Sequence, residues 1–148
     1  MVYQWKTGAR IQADAQKAGE MCMNLADEGR LTAKDLLNEN RPADALLHNE
    51  FEWDDSLAAE SWREQQARNI INSLLIVPEQ SEPVRGFFKI QQTERNYHPV
   101  TTILSRQDTT QRLFENAMRE LMALQRKYQA LEQFHKVWQA IAEVKAAQ

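Results

Sequence analysis

One cysteine, three histidines, four glycines and four prolines in 148 residues leave this chain short of the usual means of small-protein chemistry. A lone thiol, Cys22, excludes an internal disulfide framework and any multi-cysteine zinc site. His48, His98 and His135 fall in three different predicted elements, and none has a second His or Cys at ligand spacing. No metal is therefore expected. Phosphate-cradling glycine loops are missing: there is no GxGxxG and no GxxxxGK[ST], nor is there an HExxH or CxxC motif. No apolar run reaches the roughly 20 residues needed to cross a bilayer, and the opening MVYQWKTGAR lacks an export core. A chain without membrane contact, in a reducing cytoplasm, is the expectation.

Positive charge is also in short supply. The formal net charge is −3, and it is unevenly spread. Residues 1–60 hold 6 Lys/Arg against 12 Asp/Glu, residues 61–99 hold 5 against 4, and residues 100–148 hold 7 against 5. A continuous basic stripe of the kind that neutralises a duplex backbone is excluded, so any phosphate contact must come from a local patch.

What is present is an ordinary globular mix, 43% hydrophobic and 26% charged, in a chain of about one-domain length. Its patterning predicts an α+β fold. Val2–Lys6 alternates as a short strand. Ala15, Ala18, Cys22 and Leu25 repeat at helical spacing behind an Asp14 cap, with Gly29 as the stop. On that stripe Cys22 reads as a small buried hydrophobe. Thr32 and Asp35 mark a second, shorter helix ending by Asn40, since Pro42 follows, and Ala43–His48 should make one more turn.

The most distinctive stretch is His48–Arg68, HNEFEWDDSLAAESWREQQAR. Asp54 or Asp55 is expected to cap a helix there, with Phe51 and Trp53 folded onto its first turn and Ala58, Ala59, Trp62, Ala67, Ile70, Ile71 and Leu74 as its apolar stripe. Glu50, Glu52, Asp54 and Asp55 form an acidic cluster, but a cap and a solvated turn account for them without catalysis. Leu74–Val77 reads as a short strand, and Val84–Ile90 and Tyr97–Leu104 as a hairpin with Pro99 at an edge. From Ser105 the pattern predicts one helix of about 38 residues, or ~57 Å. Phe114, Leu121, Tyr128, His135 and Ala142 recur every seven residues, and Ala117, Leu124, Leu131 and Trp138 follow three on, a coiled-coil-like seam. The chain thus divides at 104/105, with a globular helix-and-hairpin part ahead of a self-association helix carrying Phe114, Leu121, Leu124, Tyr128, Leu131 and Trp138.

No catalytic constellation emerges, so no enzyme and no cofactor are expected. The remaining polar constellation is Gln65, Arg68, Asn69 and Asn72 on one helix face, with Arg85, Lys89 and Arg95 on the hairpin behind it. Arg, Asn and Gln are the side chains suited to bidentate contact with base edges. A helix followed by a basic hairpin is the order of a winged helix, and it is equally the order of an ordinary solvated helix and hairpin.

The spelling H-x2-F-E-W-D-D-x3-A-E-x2-R-x2-Q-A-R from His48 to Arg68 resembles a family of small bacteriophage and prophage proteins. So do the opening Y-x-W-K-x-G-A-R from Tyr3 to Arg10 and the segment from Arg119 to Tyr128. The resemblance implies a phage or prophage origin and a role in the host-cell cytoplasm, and it carries over no catalytic residue. A non-enzymatic accessory or regulatory protein, DNA-associated and homo-oligomeric, is the first expectation. A protein-interaction module engaging a host or phage protein is the alternative, and a structural assembly protein a third.

Overall fold

The computed structural model describes residues 1–57 and 59–148 and divides into two compact units, Met1–Leu104 and Ser105–Gln148. The first is α+β. Strand β1 (Val2–Trp5) leads to helix α1 (Ala15–Asp27). The Asp14 carboxylate accepts the Lys17 N–H at 2.8 Å, so the cap stands where the sequence puts it. At the other end Gly29 takes φ +70, letting Gly29 N–H bond Ala26 O and Arg30 N–H bond Leu25 O, a Schellman closure. Helix α2 (Ala33–Glu39) is capped by Thr32, whose hydroxyl accepts the Asp35 N–H at 2.9 Å and donates to the Asp35 carboxylate at 2.8 Å.

Asn40 ends α2 fully buried. Its amide donates to Leu36 O at 2.8 Å and accepts the Leu47 N–H at 2.9 Å, so one side chain joins the helix end to the following loop. The turn expected over Ala43–His48 is there, closed by Ala45 N–H to Pro42 O at 3.0 Å and His48 N–H to Ala45 O at 3.1 Å, and a 3-10 turn at His48–Glu50 follows it. There the His48 ring stacks on Trp53 at 4.7 Å, and Trp53 Nε1 donates to His48 O at 2.7 Å.

Helix α3 spans Glu60–Ser73, starting later than expected. Asp54 accepts instead from Ser56 N–H and Oγ, an Asx-type turn, and Asp55 pairs with Arg63. Local hydrogen bonding outcompeted the helix start, and Ala59 holds the cap position without a side-chain bond. Trp62 is corrected too. It is 52% exposed, and the inward position is taken by Arg63, whose guanidinium lies 5.4 Å over Trp53 and donates from Nε to Glu52 O at 2.8 Å. Phe51 is buried and Trp53 half-buried, as their role beside the helix start requires. Ala58, expected on the same apolar stripe, lies outside the described residues.

Helix α3 passes without a loop into strand β2 (Leu74–Val77), which pairs antiparallel with β1, Tyr3 opposite Ile76. Strand β3 (Val84–Arg85) adds to its other edge, Leu75 opposite Arg85. The continuous strand expected over Val84–Ile90 is split at Gly86. A Cβ there would meet Ile76 Cγ1 at 3.2 Å, and the chain crosses at this point into a second sheet of β4 (Phe87–Phe88) and β5 (His98–Pro99). The second hairpin strand stops at Pro99 rather than Leu104, because Val100–Leu104 coils into helix α4. Pro99, with no N–H to give, sits at the edge of this two-stranded sheet.

The core gathers around Tyr3, which packs directly on Gly19 of α1 and stacks parallel to the fully buried Phe87, centroids 6.2 Å apart. Cys22 is part of the same cluster; burial pushes its thiol up to about 12, so it acts as packing and not as a nucleophile.

The second unit corrects the single long helix. Helix α5 (Gln107–Tyr128) ends, Leu131 turns extended (φ −83, ψ 105), and a 3-10 turn at Glu132–Phe134 leads into helix α6 (His135–Ala146). No proline or glycine causes the break. The heptad seam instead folds on itself, the α5 half meeting the α6 half, which shields apolar surface that an isolated straight helix leaves in water.

Candidate functional site

Four cations from distant parts of the sequence meet on the Met1–Leu104 unit. Lys34 on α2, Arg68 on α3, and Lys89 and Arg95 on the 89–97 connection line a groove of about 430 Å³, together with Thr32, Ala33, Asp35 and Glu64. Arg68 is held by Glu64 Oε2 at 3.5 Å and Gln65 Oε1 at 3.4 Å. Lys34 and Arg95 are exposed, and neither forms an ion pair among the described residues. Lys89 Nζ lies 5.1 Å over the Tyr97 ring.

Tyr97 is the anchor of the site. Its ring is buried, and its N–H donates to Leu31 O at 2.7 Å, tying the 89–97 connection to the segment before α2. Burial pushes its hydroxyl above the ordinary value, opposed by the nearby positive charges of Arg85 and Arg68. Arg85 stands next to the groove: its Nε donates to Phe87 O at 3.0 Å, its Nη2 bonds the Asn72 amide oxygen, and its guanidinium lies 4.8 Å over Phe88.

Of the residues expected from sequence, the structure therefore brings Arg68, Lys89 and Arg95 together and sets Arg85 and Asn72 alongside as a bonded pair. Gln65 and Asn69 bond each other at 3.1 Å on the exposed face of α3 and do not line the groove. Lys34 was missed. Its helix was legible from the Thr32 cap, but nothing local in the sequence records that α2 packs against α3.

The shape of the connection depends on Glu94. Its Oε2 accepts Ile90 N–H at 3.1 Å and Gln91 N–H at 3.2 Å, and its Oε1 bonds His98 Nε2. Partial burial pushes the Glu94 carboxyl up, but the bonds from His98, Gln91 and Ile90, with the His98 charge, together hold it below its ordinary value of 4.5. A carboxyl depressed on folding contributes stability above its unfolded value, and that contribution is lost as pH falls through the folded one. Below about pH 4.5 the 89–97 connection is thus expected to loosen. The protection of the Gln91 amide against exchange should fall there, and Glu94→Gln should give the same low protection at neutral pH. Unchanged protection in that variant would remove Glu94 as the clasp.

On the Ser105–Gln148 unit, five of the six residues expected to self-associate share one apolar hollow of about 320 Å³. Leu121, Leu124, Tyr128, Leu131 and Trp138 line it with Phe134, Val137 and Ile141. Phe114 does not; it lies beside Met118 and Met122 in a separate groove. Val137 escaped the heptad reading because the turn at 129–134 shifts the register.

Among the described residues no group of three or more His, Cys, Asp or Glu is placed to hold a metal ion, and no helix is long and apolar enough to cross a membrane. Comparison with protein-family models, curated proteins and solved structures finds no match to this chain.

Proposed function

We propose that the chain is a non-enzymatic, nucleic-acid-associated accessory or regulatory protein of phage or prophage origin, acting in the host cytoplasm. Its Lys34, Arg68, Lys89 and Arg95 groove would engage the phosphate backbone. The convergence of these four cations is the observation that carries the reading. Residues 1–104 hold 11 Lys/Arg against 16 Asp/Glu, a net −5, so gathering four cations against two carboxylates in one groove runs against the unit's overall charge. The order of α3 followed by a hairpin that carries two of the cations supports a winged-helix-like use, with the 89–97 connection as the wing. Gln65 and Asn69, exposed beside the groove, are suited to base edges once a backbone is held.

Fluorescence anisotropy with single- and double-stranded DNA across a salt series tests this. Binding should weaken as salt rises, and Arg68→Ala, Lys89→Ala and Arg95→Ala should each lower affinity about 3- to 10-fold and reduce the salt slope by about 1. Glu64→Gln, which removes a competing carboxylate, should strengthen binding. No binding at low salt would end the proposal.

The acidic surplus of the same unit favours a second reading, a module that engages a basic host or phage protein. Capture of such a protein that survives nuclease treatment, from a chain that fails the DNA titration, would replace the first reading with the second.

A further inference from the structure

The hairpin of α5 and α6 leaves its apolar seam uncovered. Within Ser105–Gln148, Ile141 is the one buried hydrophobic residue, while Leu121, Leu124, Tyr128, Leu131, Phe134 and Val137 are between 38% and 48% exposed around a single hollow. Two helices can meet along a line, but they cannot enclose a core. A unit this small lacks the buried area to hold itself together without a staple or a partner.

We infer that the hollow is closed by the same hairpin of a second copy, giving an antiparallel four-helix bundle with a two-fold axis across Leu121 and Leu124. Area and charge both fit that occupant. Six side chains of roughly 180 Å² each, two-fifths exposed, leave roughly 450 Å² per copy. Two copies with their polar rims bury on the order of 1,000–1,200 Å², the lower bound for a specific interface.

The flanking charges are self-complementary. Glu120 and Lys127 border the seam on α5, with Lys127 Nζ 5.1 Å from the Tyr128 ring at its rim, and Lys136 and Glu143 flank the apolar positions of α6. On each helix one acid and one base stand seven residues apart. A two-fold axis between them sets Glu120 opposite the second copy's lysine and repeats that match symmetrically, the requirement of an isologous interface.

Sedimentation equilibrium of the full chain tests the pairing. The expected species has twice the 17.2 kDa chain mass. Leu124→Glu should weaken dimerisation about 30-fold or more, since it buries a charge at the seam. Glu120→Lys, on the exposed rim where the fold tolerates it, should weaken it about 3- to 10-fold at low salt, and adding Lys127→Glu should restore it. A monomer at high micromolar concentration overturns the inference, as do oligomers larger than a dimer. A dimer indifferent to Leu124→Glu overturns it as well. Should Leu124→Glu lose helicity, the charge pair decides alone, and a double variant that fails to recover the dimer refutes the antiparallel register.

Discussion

Phe87→Ala is expected to destabilise the Met1–Leu104 unit by about 3–5 kcal/mol, the largest loss of any single truncation in the chain. Phe87 is fully buried, and its ring lies parallel to Tyr3. It also stands at the crossing between sheets, paired with Pro99 one residue after Gly86. Truncation removes the ring's own burial and leaves a void that neither Tyr3 nor the edge of a two-residue strand can fill. Against a typical total of about 5–15 kcal/mol, a loss of that size leaves the unit marginal. Urea unfolding followed by tryptophan fluorescence measures it. A midpoint within error of the parent would mean that Phe87 is not part of the core.

Gly19→Ala is expected to cost about 2–3 kcal/mol despite lying inside helix α1, where alanine is intrinsically better by about 1 kcal/mol. The decisive quantity is distance. A Cβ at Gly19 would sit 2.2 Å from Tyr3 Cγ and within 2.5 Å of both adjoining ring carbons. The ring cannot withdraw freely, since it stacks on the buried Phe87 and β1 is paired along its length with β2. Thermal unfolding of Gly19→Ala beside Gly19→Ala/Tyr3→Ala reads the cause. If the clash is responsible, alanine at 19 is harmful with Tyr3 present and neutral or favourable without it. A lone Gly19→Ala that raises the melting temperature would show that helix propensity wins.

Short-range chemistry was legible in the sequence to the extent that it was local. Asp14, Thr32 and Gly29 each specify a helix end through bonds spanning five residues or fewer, and each is where pattern reading places it. Leu74–Val77 was recognisable as a strand from its apolar run bounded by Pro78. The failures share a different cause. Asp54 and Asp55 have two good local solutions, a helix cap or a turn, and the turn with Arg63 pairing won. Trp62 and Arg63 exchange the places that hydrophobicity assigns them because a guanidinium with a carbonyl, a carboxylate and an aromatic face can be buried, and a long aliphatic stem packs well. The break after Tyr128 carries no sequence marker, since an unbroken heptad is compatible with a straight helix and with one folded back. As for the groove, the hairpin cations and Arg68 were nameable, whereas Lys34 required knowing how two helices pack.

The direct passage from Ser73 to Leu74 has a consequence for the energetics of recognition. Helix α3 supplies Arg68 to the groove and continues without a joint into the central strand, which β1 and β3 clamp on either side. With no hinge there, one wall of the groove is ordered before any ligand arrives, and its conformational entropy has already been surrendered to folding. The 89–97 connection forms the facing wall outside any helix or strand, held by the Glu94 clasp. Association should therefore register as slowed amide exchange in that connection, while α3 and β2 exchange as slowly free as bound.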